Sequence, residues 1–158
     1  MAWSASAAFR AAFVTMVSIP AEALDLDTDG FKVALYDNDI TPDKDATQAN
    51  SCFNADQWVI TGNEVTDASG WPSGGRSLVS PAITTPSTGV VMWDAADTAS
   101  ANSNTTLANV YGCLVYDDTS TTPNDQGISY HYFGGTQSVT AGTFTIVWHA
   151  NGLMRITV

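Results

Sequence analysis

The 158 residues fit one domain, and five Lys or Arg stand against sixteen Asp or Glu, for a net charge of −11. A chain this acidic repels a phosphate backbone and an anionic membrane surface, which argues against a nucleic-acid or membrane partner unless basic side chains cluster. Arg10, Lys32, Lys44, Arg76 and Arg155 are instead scattered, and with 44% hydrophobic but only 13% charged residues, polarity rests on Thr, Ser, Asn and Gly, which suit strands and turns better than solvated helices.

Residues 11–19 (AAFVTMVSI) form an apolar run followed by Pro20 and Ala21-Glu22-Ala23. The pattern imitates a signal peptide with its small-residue cleavage site, yet Arg10 is the single basic residue before it, and the run is too short to span a bilayer. Phe9, Phe13, Met16 and Val17 recur at helical spacing. Ser4 or Ser6 is placed to cap such a helix, and Pro20 to stop it. The expectation is a retained helix or arm over residues 1–24, packed on its own domain or reaching a neighbour, ahead of a single β domain over 25–158.

The acidic turn DLDTDG (25–30) leads into FKVALY (31–36), where Phe31, Val33 and Leu35 alternate with Lys32, Ala34 and Tyr36, the period of a half-buried strand. Residues 37–56 are polar and long for a loop, a length that goes with a function or a short helix of its own. After QWVITG (57–62), residues 63–75 are punctuated by Gly70, Pro72, Gly74 and Gly75. SLVSPAIT (77–84) reads as a strand that Pro81 marks as an edge or a break. GVVMWDA (89–95) is a stronger strand, and 96–106 is a polar loop or a short turn of helix. LANVYGCLVYDD (107–118) is a long buried strand. ISYHYFG (128–134) and TFTIVWHA (143–150) alternate on either side of a Gly- and Thr-containing turn, and Asn151-Gly152 predicts a hairpin into LMRITV (153–158). Seven or eight strands without alternating helices predict a mainly β fold, a β-sandwich or Greek-key barrel behind an N-terminal helix.

Chemistry-bearing residues are sparse. Asp25, Asp27, Asp29 and Gly30 match the opening of a calcium-binding loop, but the twelfth position is Tyr36, which has no carboxylate to offer, so the Asp triplet reads as an acidic turn. His131 and His149 are the only histidines and sit on predicted strands; two imidazoles make half a zinc site. Cys52 and Cys113 are read as reduced thiols in preference to a bridge. No nucleophile has a recognisable local context, Glu22 and Glu64 are the only glutamates, and no phosphate-cradling loop is present. The chain therefore reads as a non-enzyme without a cofactor. Of the five tryptophans, Trp93 and Trp148 belong to core strands, while Trp71, between Gly70 and Pro72, is expected at the surface, where it raises a carbohydrate-binding alternative.

Residues 25–46 (DLDTDGFKVALYDNDITPDKDA) resemble the acidic turn, "K-V-A-L" strand and "T-P-x-x-D" segment of tailed-bacteriophage virion structural proteins. The resemblance continues in NEVTDASGWPSGGRSLVSPAI (63–83) and closes in YFGGTQSVTAGTFTIVWHANGLMRITV (132–158), the blocks keeping their order over nearly the whole chain. Gly30 stands where Thr is usual, Trp71 where Tyr is usual, and the 37–57 loop is enlarged. The resemblance implies a multi-copy, non-enzymatic virion component, a capsid decoration or cement protein bound to the major capsid protein or to copies of itself. A minor tail or tail-tip protein is the alternative. Trp3, Phe9, Phe13, Met16 and Trp71 are the candidate partner contacts.

Overall fold

A computed structural model of the chain describes residues 3–18 and 24–158. The fold is mainly β, and its sheets are open ones layered as a sandwich; none closes into a barrel. A five-stranded antiparallel sheet has the order β1 (Ala7–Ala8), β8 (Gly127–Gly142), β7 (Thr105–Asp117), β2 (Phe31–Tyr36), β3 (Arg76–Ser77). A second sheet has the order β10 (Met154–Thr157), β5 (Val90–Ala96), β4 (Val79–Ser87), and β6 (Thr98–Ala99) pairs with β9 (Thr145–Ile146). The helices are α1 (Arg10–Ser18) and the single turn α2 (Gln48–Ser51), which shortens the long polar loop as its length required.

Alternation within β2 sets its two faces, but both are buried, so the half-buried strand of the sequence reading is corrected. On one face Phe31 meets Trp93 of β5, ring centroids 4.9 Å apart and nearly perpendicular, and the Trp93 indole N–H donates to the Leu26 carbonyl at 2.8 Å. This contact joins the two layers. On the other face Tyr36 packs edge-on against Trp58 at 5.0 Å and donates to its carbonyl at 2.6 Å. Trp3, Phe9 and Tyr130 complete this aromatic group.

Trp3 sits in the core because β7 yields to it. A Cβ at Gly112 would stand 2.6 Å from the Trp3 ring, so only glycine admits the indole there. The Trp3 N–H then donates to the Asp37 carbonyl at 2.6 Å, whereas the equally buried Trp58 N–H has no hydrogen-bond partner.

The amino-terminal segment is thus built into the domain. Phe9 N–H donates to Ile128 O at 2.9 Å, and Ala7 and Ala8 pair with Tyr130 and Ser129. Phe9 precedes α1, and the buried stripe of the helix runs through Ala12 and Thr15, with Phe13 and Met16 at its margin. Val17, placed in the stripe by spacing alone, is 84% exposed. Ser6 does not cap the helix; its Oγ accepts the Tyr132 N–H at 2.9 Å beside β1. The expected stop at Pro20 lies outside the described residues.

The carboxyl-terminal third departs furthest from expectation. β8 runs straight through Gly134-Gly135, which form a bulge: Val110 faces Gln137, but Gly112 faces Tyr132. Only Thr145 and Ile146 of the expected strand 143–150 are in a ladder, so His149 lies in a turn. Asn151-Gly152 does make a tight turn, closed by Gly152 N–H donating to His149 O at 2.7 Å. It is not a hairpin: the next strand leaves for β5, led by Leu153 N–H to Trp93 O at 2.9 Å. Long-range pairing overrides the local signal. At β4 the reading of Pro81 holds, since the strand is an edge with a register shift between Val79 and Ala82.

Candidate contact surface

The acidic turn spends its carboxylates on itself. Asp25 Oδ1 accepts the backbone N–H of Asp27 at 3.0 Å and of Thr28 at 3.3 Å, and Asp29 Oδ2 accepts the Asp25 N–H at 2.7 Å. Hydrogen bonds from Thr28 and Asp27 hold Asp25 below the usual carboxylate range, while burial raises Asp29. Among the described residues no three His, Cys, Asp or Glu side chains are grouped to hold a metal ion.

Asp67, which the sequence reading passed over, is a stronger organising group. Its carboxylate accepts from the backbone N–H groups of Thr106, Gly70 and Ser69 and from the Ser69 hydroxyl, and these bonds, that from Thr106 foremost, pull its pKa down to about 2. The turn it holds buries Trp71. That tryptophan, expected at the surface, is 0% exposed: its N–H donates to Val33 O at 3.2 Å and its ring stands perpendicular to Phe144 at 5.8 Å. Glycines at 70, 74 and 75 around Pro72 mark a turn but say nothing about what the turn folds over.

His131 lies between the layers beside Trp148, ring centroids 5.3 Å apart, with Nε2 3.0 Å from Ser129 Oγ. Burial lowers its pKa to about 4. The Ser129 hydroxyl is itself buried, and no carboxylate is bonded to this imidazole among the described residues, so the pair lacks the third group that orients a base. Both thiols are free and buried, and burial raises each.

Of the five candidate contact residues, Trp3, Phe9 and Trp71 are therefore core side chains, and Phe13 and Met16 reach a surface. That surface is one face of the second sheet. Trp93 stands opposite Ile83 on β4 and Met154 on β10, and Val91 stands opposite Ile156. Directly opposed residues share a face, so five apolar side chains form a continuous patch. Its Trp93 end is sealed, and Phe13 and Met16 close over it around a cleft of about 40 Å³. Its outer end is open: Ile83 is 46%, Ile156 43% and Val91 37% exposed. Sequence reading missed these three, although the alternation in VVMW and MRIT places Val91 with Trp93 and Met154 with Ile156. What the alternation lacks is the register that sets the strands side by side.

Comparison of the chain with protein-family models, with curated proteins and with solved structures returns no match.

Proposed function

We propose that this protein is a non-enzymatic bacteriophage virion component of the capsid decoration type, docking on the major capsid protein through the open apolar face of β4, β5 and β10. The observation that carries the reading is the convergence of Ile83, Val91 and Ile156 on one face beside Phe13 and Met16. Exposed aliphatic side chains are ordinary when scattered; gathered on a rigid sheet they mark a contact surface. The ordered resemblance of three sequence blocks to virion proteins supplies the biological setting.

The physics suits a shell. A decoration protein binds assembled subunits and not dissociated ones, and so stabilises the lattice by mass action. A net charge of −11 per copy keeps neighbouring copies from adhering indiscriminately while the apolar face supplies the specific contact. A stable contact of this kind buries about 1,200–2,000 Å² in total, more than the three open side chains offer, so the flanking strands and the exposed side of α1 belong to it.

The test is to label gradient-purified virions with an antibody to this chain. Label on the heads is the expected result. Label confined to tails transfers the protein to the tail-component class, and virions free of the chain overturn the assignment. Heads that carry the protein after Ile83→Thr, Val91→Thr and Ile156→Thr are introduced together would show that docking uses another surface.

A further inference from the structure

The two sheets leave a groove between their edges. β1 ends the five-stranded sheet, β10 ends the three-stranded one, and the space between them is about 410 Å³. Each strand has a ladder partner on one side only among the described residues, so β10 offers main-chain N–H and C=O groups to an added strand. The apolar lining comes from Phe13, Met154 and Ile156, and the polar lining from His131, His149 and Arg155. β10 is also a margin of the docking face described above.

Charge identifies the occupant. Sixteen carboxylates are spread over this chain, yet none lines the groove among the described residues. Three of the five cations are already matched, Arg10 and Lys44 to Asp45 and Lys32 to Asp118, while Arg76 donates to the Ala99 carbonyl. Arg155 makes one bond, from Nη1 to Asn151 Oδ1 at 2.6 Å, and has no carboxylate partner among the described residues. A guanidinium carries five donors in a planar fork that fits a carboxylate. A second copy of the chain is a poor occupant. Pairing β10 antiparallel with another β10 sets the two Arg155 side chains opposite or diagonal to each other, where like charges repel.

We propose that the groove receives an extended acidic segment of a partner protein, added as a strand along β10, with apolar side chains at alternate positions against Phe13 and Ile156 and a carboxylate on Arg155. This is strand addition, in which main-chain bonds give affinity and alternate side chains give specificity. It deepens the shell-protein reading, and rests on that reading only for which protein supplies the segment.

Fluorescence anisotropy with the full chain tests it. The probe is a labelled nine-residue peptide of alternating Val and Thr with one central Asp; companion peptides carry Asn or Lys there, and a fourth is N-methylated at alternate residues. The Asp peptide is expected to bind about tenfold more tightly than the Asn peptide, with the Lys peptide weaker still. The N-methylated peptide is expected not to bind, because its backbone donors are blocked. Arg155→Gln should bring the Asp peptide down to the Asn level without moving the melting temperature, since the side chain is exposed. Equal affinity for Asp and Lys, or undiminished binding after N-methylation, would overturn the proposal, as would no binding up to about 1 mM. So would a concentration-dependent dimer that Ile156→Asp abolishes, because the groove would then belong to a second copy. Failure of peptide binding with labelled heads removes the groove and keeps the shell assignment; peptide binding with unlabelled virions does the reverse.

Discussion

The outer face of the five-stranded sheet and the patch on β4, β5 and β10 are built from the same class of side chain and end in opposite states. On the first, Tyr36 and Trp58 are sealed by Trp3 and Phe9, which arrive from the amino-terminal end of the sequence. On the second, Ile83, Val91 and Ile156 lie on an equally regular ladder and stay open. Strand alternation is alike in the two; the difference is cover. A face that the chain closes with its own residues is a stability device, and a face it leaves open is available to a partner.

Removing the cover has the largest expected effect. Trp3→Ala takes away an indole that fills the space over Gly112 and strands the Asp37 carbonyl, and Phe9→Ala removes a ring in contact with both Trp58 and Tyr130. Each is expected to cost about 3–5 kcal/mol in urea denaturation, and deletion of residues 2–19 is expected to abolish cooperative folding. A deleted chain that unfolds with the midpoint of the full one would make the segment an independent arm and erase the contrast. Of a milder pair, Trp3→Phe should cost more than Trp58→Phe, because only the first loses a hydrogen bond.

The inner face between the layers offers a proton as the probe. His131 titrates near 4 in the folded chain because burial penalises its charged form, against about 6.5 when unfolded. With the folded pKa depressed, the unfolded chain binds the proton first. Stability from this residue is fully present above about pH 6.5 and is lost as pH falls toward 4. Denaturation midpoints between pH 7 and 4.5 should fall steeply, and His131→Leu should flatten that slope. An unchanged slope would mean that the imidazole is solvated and the layers are less tightly joined than Phe31 and Trp93 indicate.

Particular residues show how far the sequence was legible. The alternation of FKVALY and VVMW, the edge character of Pro81 and a helix near residues 10–18 were all readable, because each depends on neighbours within a few positions. Burial of both faces of β2 was not, since what covers Tyr36 is set by Trp3 and Trp58, far off in sequence. The same limit explains Trp71, whose turn looked exposed until Asp67 and Thr106 closed it over the core. It explains Asn151-Gly152 too: the turn chemistry was right, and the partner strand was chosen by β5. Phe13 and Met16 were legible as residues of one helical stripe from their spacing, while Ile83, Val91 and Ile156 form a patch only once three strands are in register.

The smallest expected effect on stability is on the open face itself, and it is where the functional reading stands apart from a structural one. Ile83→Thr, Val91→Thr and Ile156→Thr keep β-branching and replace side chains that are already more than a third exposed, so each is expected to cost less than about 1 kcal/mol. The same changes made on a sealed face would each leave a hydroxyl to be satisfied in the core. Thermal melts of the triple variant should therefore lie within a few degrees of the parent chain while its occupancy of heads falls sharply. A collapse of the melting temperature would show that these side chains hold the second sheet together, and the two faces would then differ in degree of burial and not in purpose.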